Sequence, residues 1–480
     1  MEHTETPNQY TDLAGIALYL EMHPILHETS TYKTQYLQAL HYFVHTYCNA
    51  EQLPNALWQK YCHIFLGTVA DTSIYSPSEA EKAKPIIRKV ASIKFRHFKF
   101  FSYRFVFVAD CLFLCAFHDE TKGKQILDAI KSFYSARYHD KCNLLFDALY
   151  HGKALEPGME LAEIQVDCWQ KNSAFLNKPL TKILVTANMS AGKSTLINAL
   201  IGKPLVRTSQ EACTKTLCHL YNKPFEDEFV DLYYPSIQFG VADTTLSEAE
   251  NAGLRQIASY YHMITPYDSR VCIIDTPGVN SAIHREHGRL TKKALTEESY
   301  DWLVYVLNAN YLGTDDEFAY LRFVSETVPK KKTIFVLNKV DNFQSGEDSI
   351  EESIQDIRKD LCALGYENPI ICPISAYCAL LIKKKVNGLL LDEDENDSLD
   401  MLSKKFRRPK YDLSQYYARP EISADKDEIT DISIRCGLYG LEHILFHECV
   451  NGSLHQKNEK PERLVLKIPK KPLRIDYVRR

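Results

Sequence analysis

The run Thr186-Ala187-Asn188-Met189-Ser190-Ala191-Gly192-Lys193-Ser194-Thr195 carries residue types suited to holding phosphate. Small residues allow a tight loop whose backbone N–H groups point at an anion. A lysine can reach the outer phosphates, and a serine hydroxyl can serve Mg2+. The apolar run Ile183-Leu184-Val185 leads in, and Leu196-Ile197-Asn198-Ala199-Leu200-Ile201 leaves with helical spacing. A helix beginning there adds partial positive charge to the amides of Asn188 through Thr195. Ala187 stands where the G-x-x-x-x-G-K-[ST] pattern has its first glycine, and it fits while its φ stays negative. Taken alone, the run has one rival reading, an ordinary strand-to-helix turn.

Three later stations decide the matter. Val271-Cys272-Ile273-Ile274 ends in Asp275-Thr276-Pro277-Gly278, which sets a carboxylate at a strand edge for Mg2+ and the Gly278 N–H near a γ-phosphate. Thr333-Ile334-Phe335-Val336-Leu337 ends in Asn338-Lys339-Val340-Asp341. The Asp341 carboxylate can accept from both N–H donors of a guanine edge, a pair that adenine lacks, while Asn338 and Lys339 buttress the loop. Pro369-Ile370-Ile371-Cys372-Pro373-Ile374 then delivers Ser375-Ala376, a backbone contact for the guanine carbonyl. Four such stations in order, each after an apolar strand, specify a guanine-nucleotide-binding domain. The fold class is an α/β P-loop GTPase domain, a mostly parallel sheet flanked by helices.

The series Ser190-Ala191-Gly192-Lys193-Ser194, Asp275-Thr276-Pro277-Gly278 and Asn338-Lys339-Val340-Asp341 resembles the dynamin family of large GTPases, over about residues 175–450. The resemblance implies hydrolysis of GTP to GDP with Mg2+. Ser190 matches the serine that helps place a monovalent cation in the role of an arginine finger. Glu211-Ala212-Cys213-Thr214 resembles the first switch of bacterial dynamin-like proteins, so Thr214 would hold Mg2+, with Thr216 the alternative. The implied metal set is then Ser194, Thr214 and Asp275, and the implied catalytic set is Ser190, Lys193, Thr214 and Gly278. Met189 replaces a polar residue that many dynamins use to orient the attacking water, which bears on hydrolysis more than on binding. A homodimer through facing GTP-binding domains is implied too. Full-length dynamins continue into a helical stalk with a lipid-binding tip, so polymerisation and scission are not carried over.

These stations must be positioned by a chain of 480 residues, long enough for two or three domains. The spacing predicts an all-helical N-terminal domain over 1–160, a GTP-binding domain over 161–455 with an insertion at about 384–430, and a basic, poorly ordered tail over 456–480. Helices are expected at Tyr10–Ile25, Thr31–Cys48 and Ala56–Leu66. The apolar stretch Phe105–Phe117 has a carboxylate, Asp110, in its middle and falls short of the roughly 20 residues of a membrane span. It reads as a buried bundle helix, with Asp110 capped or paired with a basic neighbour. Between the stations, Glu226–Tyr234 alternates like an edge strand, Ser247–His262 reads as an inserted helix, and Thr314–Thr327 as a capped helix. The opposed charge runs Leu391–Asp400 and Lys404–Lys410 read as solvated loops.

Net charge is −5, so bulk electrostatics give no reason to expect nucleic acid. Gly437-x-x-Gly440 matches an RNA-clamping loop in spacing alone, with Leu and Tyr inside it. Fourteen scattered cysteines and a polar N-terminus read as reduced thiols of a cytoplasmic protein. His284-Arg285-Glu286-His287 reads as a solvated switch face, and His443 with His447 as part of an amphipathic helix. Lys457–Arg480 holds nine Lys or Arg against three Asp or Glu. Such a segment can meet an anionic membrane, making the protein peripheral, or a protein partner. Two rival readings stay open: a GTP-controlled interaction module with negligible turnover, and an RNA- or ribosome-associated GTPase.

Overall fold

The computed structural model of the chain describes residues 11–48, 50–67, 83–91, 101–207, 217–242, 246, 254–265, 267–277, 285–344, 349–418 and 427–454. The chain divides into two compact units. One comprises Met1–Lys178 with Lys223–Leu246, the other Pro179–Asn222 with Ser247–Arg480. The sequence places its boundary at 160 and assigns 223–246 to the nucleotide domain; the division differs because helix Glu163–Leu176 and the later segment pack with the N-terminal helices.

The first unit is built on helices Ser30–Cys48, Gln52–Leu66, Lys84–Ala91, Arg104–Ala116, Glu120–Lys131, His139–His151 and Glu163–Leu176. Residues 10–25 do not form the expected helix. Short 3-10 turns stand there at Thr11–Leu13, Leu20–Met22 and Pro24–His27, with Gly15 at φ +101° and Pro24 opening the last turn. Every residue from Phe105 to Ala116 is buried, so the apolar stretch is a core helix of this unit. Asp110 in its middle is satisfied by three partners: His23 Nε2 at 2.8 Å, the Tyr36 hydroxyl at 2.5 Å and the Tyr61 hydroxyl at 3.1 Å. Burial, and then the Asp110 carboxylate, push both tyrosine hydroxyls well above their usual range.

Segment 223–246 is fastened to these helices by charge. Lys60 Nζ lies 3.0 Å from Asp227 Oδ2 and 3.7 Å from Asp231 Oδ1. Lys223 Nζ donates to Asp227 Oδ1 at 2.8 Å and is paired with Asp231. All four side chains are within 1% of full burial. The Phe229 ring lies 4.5 Å under the Lys60 ammonium, and Tyr19 stacks on Phe225 at 3.9 Å. The expected edge strand is real only at Asp231–Tyr234, and all four of its residues are buried.

Numbering strands along the chain, β1 is Leu180–Ala187, β2 Leu217–Asn222, β3 Asp231–Tyr234, β4 Leu254–Ser259, β5 Arg270–Asp275, β6 Trp302–Asn308, β7 Thr333–Asn338 and β8 Ile370–Ile374. Within the second unit they run in the order β4-β2-β5-β1-β6-β7-β8. All neighbours are parallel except β2 against β5. Parallel strands covered by helices read as near-continuous apolar runs, as β5, β6 and β7 do.

Two expectations about this unit are corrected. Part of Ser247–His262 is strand β4, and its buried Arg255, Gln256 and Ser259 hide the strand from an apolar pattern. The charged stretch after 390 is not all loop: Glu393–Phe406 is a helix. A capping box between Asp392 and Glu395 starts it, acidic residues occupy its first turn and lysines its last, and Leu399, Leu402 and Phe406 are buried beneath it. Helix Asp315–Thr327 stands as expected, with Thr314 Oγ1 accepting from Glu317 N at 3.3 Å.

Burial alone would raise the Asp227 carboxyl, but Lys223 and Lys60 hold it at about 2. That lies below the roughly 3.9 of an unfolded aspartate, so its contribution to stability is full above about pH 4 and is lost as pH falls toward 2. Asp227→Asn should destabilise the first unit by about 3 kcal/mol at pH 7, because two buried ammonium groups lose a counter-charge. Urea unfolding of the full chain at pH 7 and pH 2.5, followed by tryptophan fluorescence, checks both the loss and its acid dependence.

Candidate functional site

Strand β1 lies between β5 and β6 and parallel to both, so its carboxyl end opens where α/β sheets receive ligands. Ala187 closes the strand and is not among the described residues with positive φ, so its methyl group is tolerated in place of glycine. Asn188 to Gly192 form the turn, with Ser190 at φ +58° and Gly192 at φ +82°. Gly192 is excluded from carrying a side chain twice over, by that conformation and because a Cβ would come within 2.4 Å of Asn338 Nδ2. Helix Lys193–Ile201 begins immediately after it. Lys193, Ser194 and Thr195 thus lie in a first turn whose N–H groups have no intrahelical acceptor.

Lys193 is buried and its ammonium is paired with Asp275 Oδ1. Asp275 is the last residue of β5, stands opposite Val185 in register, and is fully buried. Thr276 Oγ1 donates to Val185 O at 2.9 Å. From helix Arg285–Glu297, Thr291 Oγ1 donates to Pro277 O at 2.5 Å. The phosphate lysine and the carboxylate expected near Mg2+ are therefore an ion pair in this structure.

Asn338 joins the phosphate loop to the base loop. Its Nδ2 donates to Ala191 O at 2.8 Å, and its Oδ1 accepts from Ala376 N at 2.9 Å. Lys339, at φ +67°, starts the 3-10 turn Val340–Asn342 that presents Asp341. Asp341 Oδ1 is buried, and no protein donor reaches it. A buried carboxylate oxygen left this way calls for a ligand donor. Ser375 caps helix Ala376–Val386, its hydroxyl accepting from Cys378 N at 3.2 Å.

Thr214, its alternative Thr216 and Gly278 lie outside the described residues, as do the side chains of His284 to His287. Met189 is 40% exposed. His443 and His447 stack at 4.8 Å, and His443 Nδ1 meets the Tyr267 hydroxyl at 3.1 Å. Among the described residues no group of three or more His, Cys, Asp or Glu side chains is placed to hold a metal ion.

The sequence reading missed a brace behind the phosphate loop. Asn308, at the end of β6, donates through Nδ2 to Ser190 O at 3.0 Å and so holds the first of the loop's two left-handed residues. Glu317 accepts from Asn188 Nδ2 at 3.1 Å and from the Tyr305 hydroxyl at 2.7 Å. The Thr186 and Tyr320 hydroxyls are 2.6 Å apart. Burial raises the Glu317 carboxyl, and the bonds from Tyr305 and Asn188 offset part of that. One signal was available: an asparagine ends β6 just as Asn338 ends β7. Glu317 was masked by its ordinary place in a helix cap. Asn308→Ala should free the Ser190 carbonyl and weaken guanine-nucleotide affinity about tenfold, on the scale of one hydrogen bond in a preorganised site. Equilibrium titration with a fluorescent GDP analogue measures it.

Residues 183–340 match the family model described as the Dynamin family. The chain is 28% identical over 240 residues to a protein of Arabidopsis thaliana named "Probable transmembrane GTPase FZO-like, chloroplastic", covering 50% of this chain and 23% of that one. It is 23% identical over 196 residues to dynamin-like protein A of Bacillus subtilis (strain 168), covering 38% of this chain and 15% of that one. The chain thus spans less than a quarter of the length of either relative. A solved structure described as an oligomerised bacterial dynamin pair matches at 16% identity and a TM-score of 0.34, over 81% of this chain and 72% of that one. A likeness at that score carries no argument.

Proposed function

We propose that this chain, whose residues 183–340 form a dynamin-like GTPase domain, binds GTP selectively and hydrolyses it to GDP and phosphate. The observation that carries the reading is Asp341 Oδ1, a buried acceptor without a donor, in a loop that Asn338 ties to the phosphate loop. The N1 and N2 donors of guanine meet such a carboxylate. Adenine offers no equivalent pair.

Phosphates entering the loop draw Lys193 away from Asp275 and onto the β- and γ-oxygens. Ser194 and Asp275, together with Thr214, are hard oxygen donors that suit Mg2+, which would neutralise charge on the β- and γ-phosphates. Water then adds at the γ-phosphorus, the bond to the β,γ-bridging oxygen breaks, and GDP leaves with phosphate. Lys193, the loop N–H groups and the Gly278 N–H stabilise charge at the transferred group, where positioning and electrostatics supply most of the rate. Ser190 would help hold a monovalent cation supplying the charge of an arginine finger, an arrangement that two facing GTP-binding domains would complete.

No helix among the described residues is long and apolar enough to cross a membrane. Anionic membrane or partner contact enters the proposal through the basic 457–480 segment. A GTP-controlled interaction module with little turnover is the second reading. It is favoured by Met189, an apolar side chain 40% exposed on the phosphate loop.

Asp341→Asn should weaken GTP binding and favour xanthine nucleotide, whose altered edge suits an amide; equal ATP and GTP affinity in the unmutated chain would sink the reading. Specific GTPase activity should rise with protein concentration, and Ser190→Ala should lower turnover with little loss of GTP affinity. Phosphate release measured across a hundredfold dilution decides between the two readings. Constant specific activity removes dimer stimulation, and no turnover at any concentration leaves the interaction module.

A further inference from the structure

We propose that Lys405 is a positioning residue for guanine recognition, and that helix Glu393–Phe406 is a clamp setting how long nucleotide stays bound. This rests on the guanine-nucleotide reading above. Lys405 lies in the last turn of that helix, within the stretch the sequence marks as an insertion. Its ammonium donates to Asp341 O at 2.7 Å and to Phe343 O at 2.6 Å. It also stands 4.6 Å from the Tyr411 ring, and the Tyr411 hydroxyl donates to Phe343 O at 3.4 Å. One side chain from outside the nucleotide motifs therefore holds two carbonyls of the loop that carries the base-reading carboxylate.

The loop needs such a hold. Lys339 is left-handed, and the 3-10 turn after it keeps only short-range bonds, Asn342 N to Lys339 O at 3.1 Å and Phe343 N to Val340 O at 3.3 Å. A bidentate contact to guanine tolerates displacements of only about half an ångström. The clamp is anchored at its other end as well. Glu395 is paired with Lys384 on helix Ala376–Val386, the helix capped by Ser375 at the base-binding edge. The helix is thus tied at its start to the last turn of Ala376–Val386 and at its end to the loop carrying Asp341. Buried Leu399, Leu402 and Phe406 fix its face between those ties. Lysine suits the role because an ammonium can donate to several acceptors at once, and charge-assisted bonds are the stronger kind.

The clamp acts on base recognition and release, apart from phosphate chemistry. With the full chain, the dissociation rate of a fluorescent GDP analogue is measured alongside the affinity ratio of GDP to IDP, which lacks the N2 donor. Lys405→Met should speed release about tenfold, the loss of roughly one charge-assisted bond. It should lower the GDP/IDP ratio, and KM for GTP should rise more than kcat falls. Lys405→Arg, which keeps charge and donors, should recover most of the loss. An unchanged off-rate and ratio in a folded Lys405→Met chain overturn the clamp. If that variant does not fold by circular dichroism, Lys384→Met decides, since it cuts the far anchor and leaves Lys405 in place. Faster release there supports the clamp, and unmutated release overturns it. Absence of GDP binding by the unmutated chain would instead overturn the nucleotide reading, and the clamp with it.

Discussion

One carboxamide organises the nucleotide site. Asn338 ends β7, donates to the phosphate-loop carbonyl of Ala191, and accepts from the Ala376 amide at the head of the next helix. It sits so close to Gly192 that no residue with a Cβ fits there. The loops proposed to hold phosphate and base are therefore tied together at the carboxyl edge of the parallel sheet. Around it, Asn308 grips Ser190, Glu317 grips Asn188, and Lys405 grips the carbonyls of Asp341 and Phe343. Each group meets a different stretch of backbone or side chain, and preorganisation of this kind lets an enzyme meet charge in the transition state without rearranging first.

Most of this assembly was legible from residues because it is local. Gly192-Lys193-Ser194, Asp275-Thr276-Pro277-Gly278, Asn338-Lys339-Val340-Asp341 and Ser375-Ala376 each follow a short apolar run, and the spacing of strand, turn and helix appears within about ten residues. What escaped was non-local or disguised. Strand β4 carries buried Arg255, Gln256 and Ser259, so its polarity imitates an exposed helix. Helix 393–406 looked like a charge run, although its Asp392 and Glu395 spell a capping box. Glu317 and Lys405 matter through partners far away in the chain, and no window of sequence contains both ends of such a bond.

The first unit follows a different logic. It buries a carboxylate in a helix that is otherwise apolar and satisfies it with a histidine and two tyrosines. It also buries Lys60 and Lys223 against Asp227 and Asp231. Replacing such groups with apolar side chains of similar volume is often neutral or stabilising, so their contribution lies less in net stability than in which segment may dock. Only a segment with two carboxylates at the right spacing can close the pocket around Lys60.

That arrangement constrains the order in which the chain can be completed during synthesis. Lys60 meets Asp227 only 167 positions later, after the phosphate loop and β2 have already left the ribosome. Until then Lys60 has neither Asp227 nor Asp231 to pair with. The polypeptide passes between the two units at 178, 222 and 246, so no single cleavage separates them into intact halves. The segment that completes the first unit is synthesised only after β1 and β2 of the second, so the two units cannot be completed strictly one after the other as the chain is made.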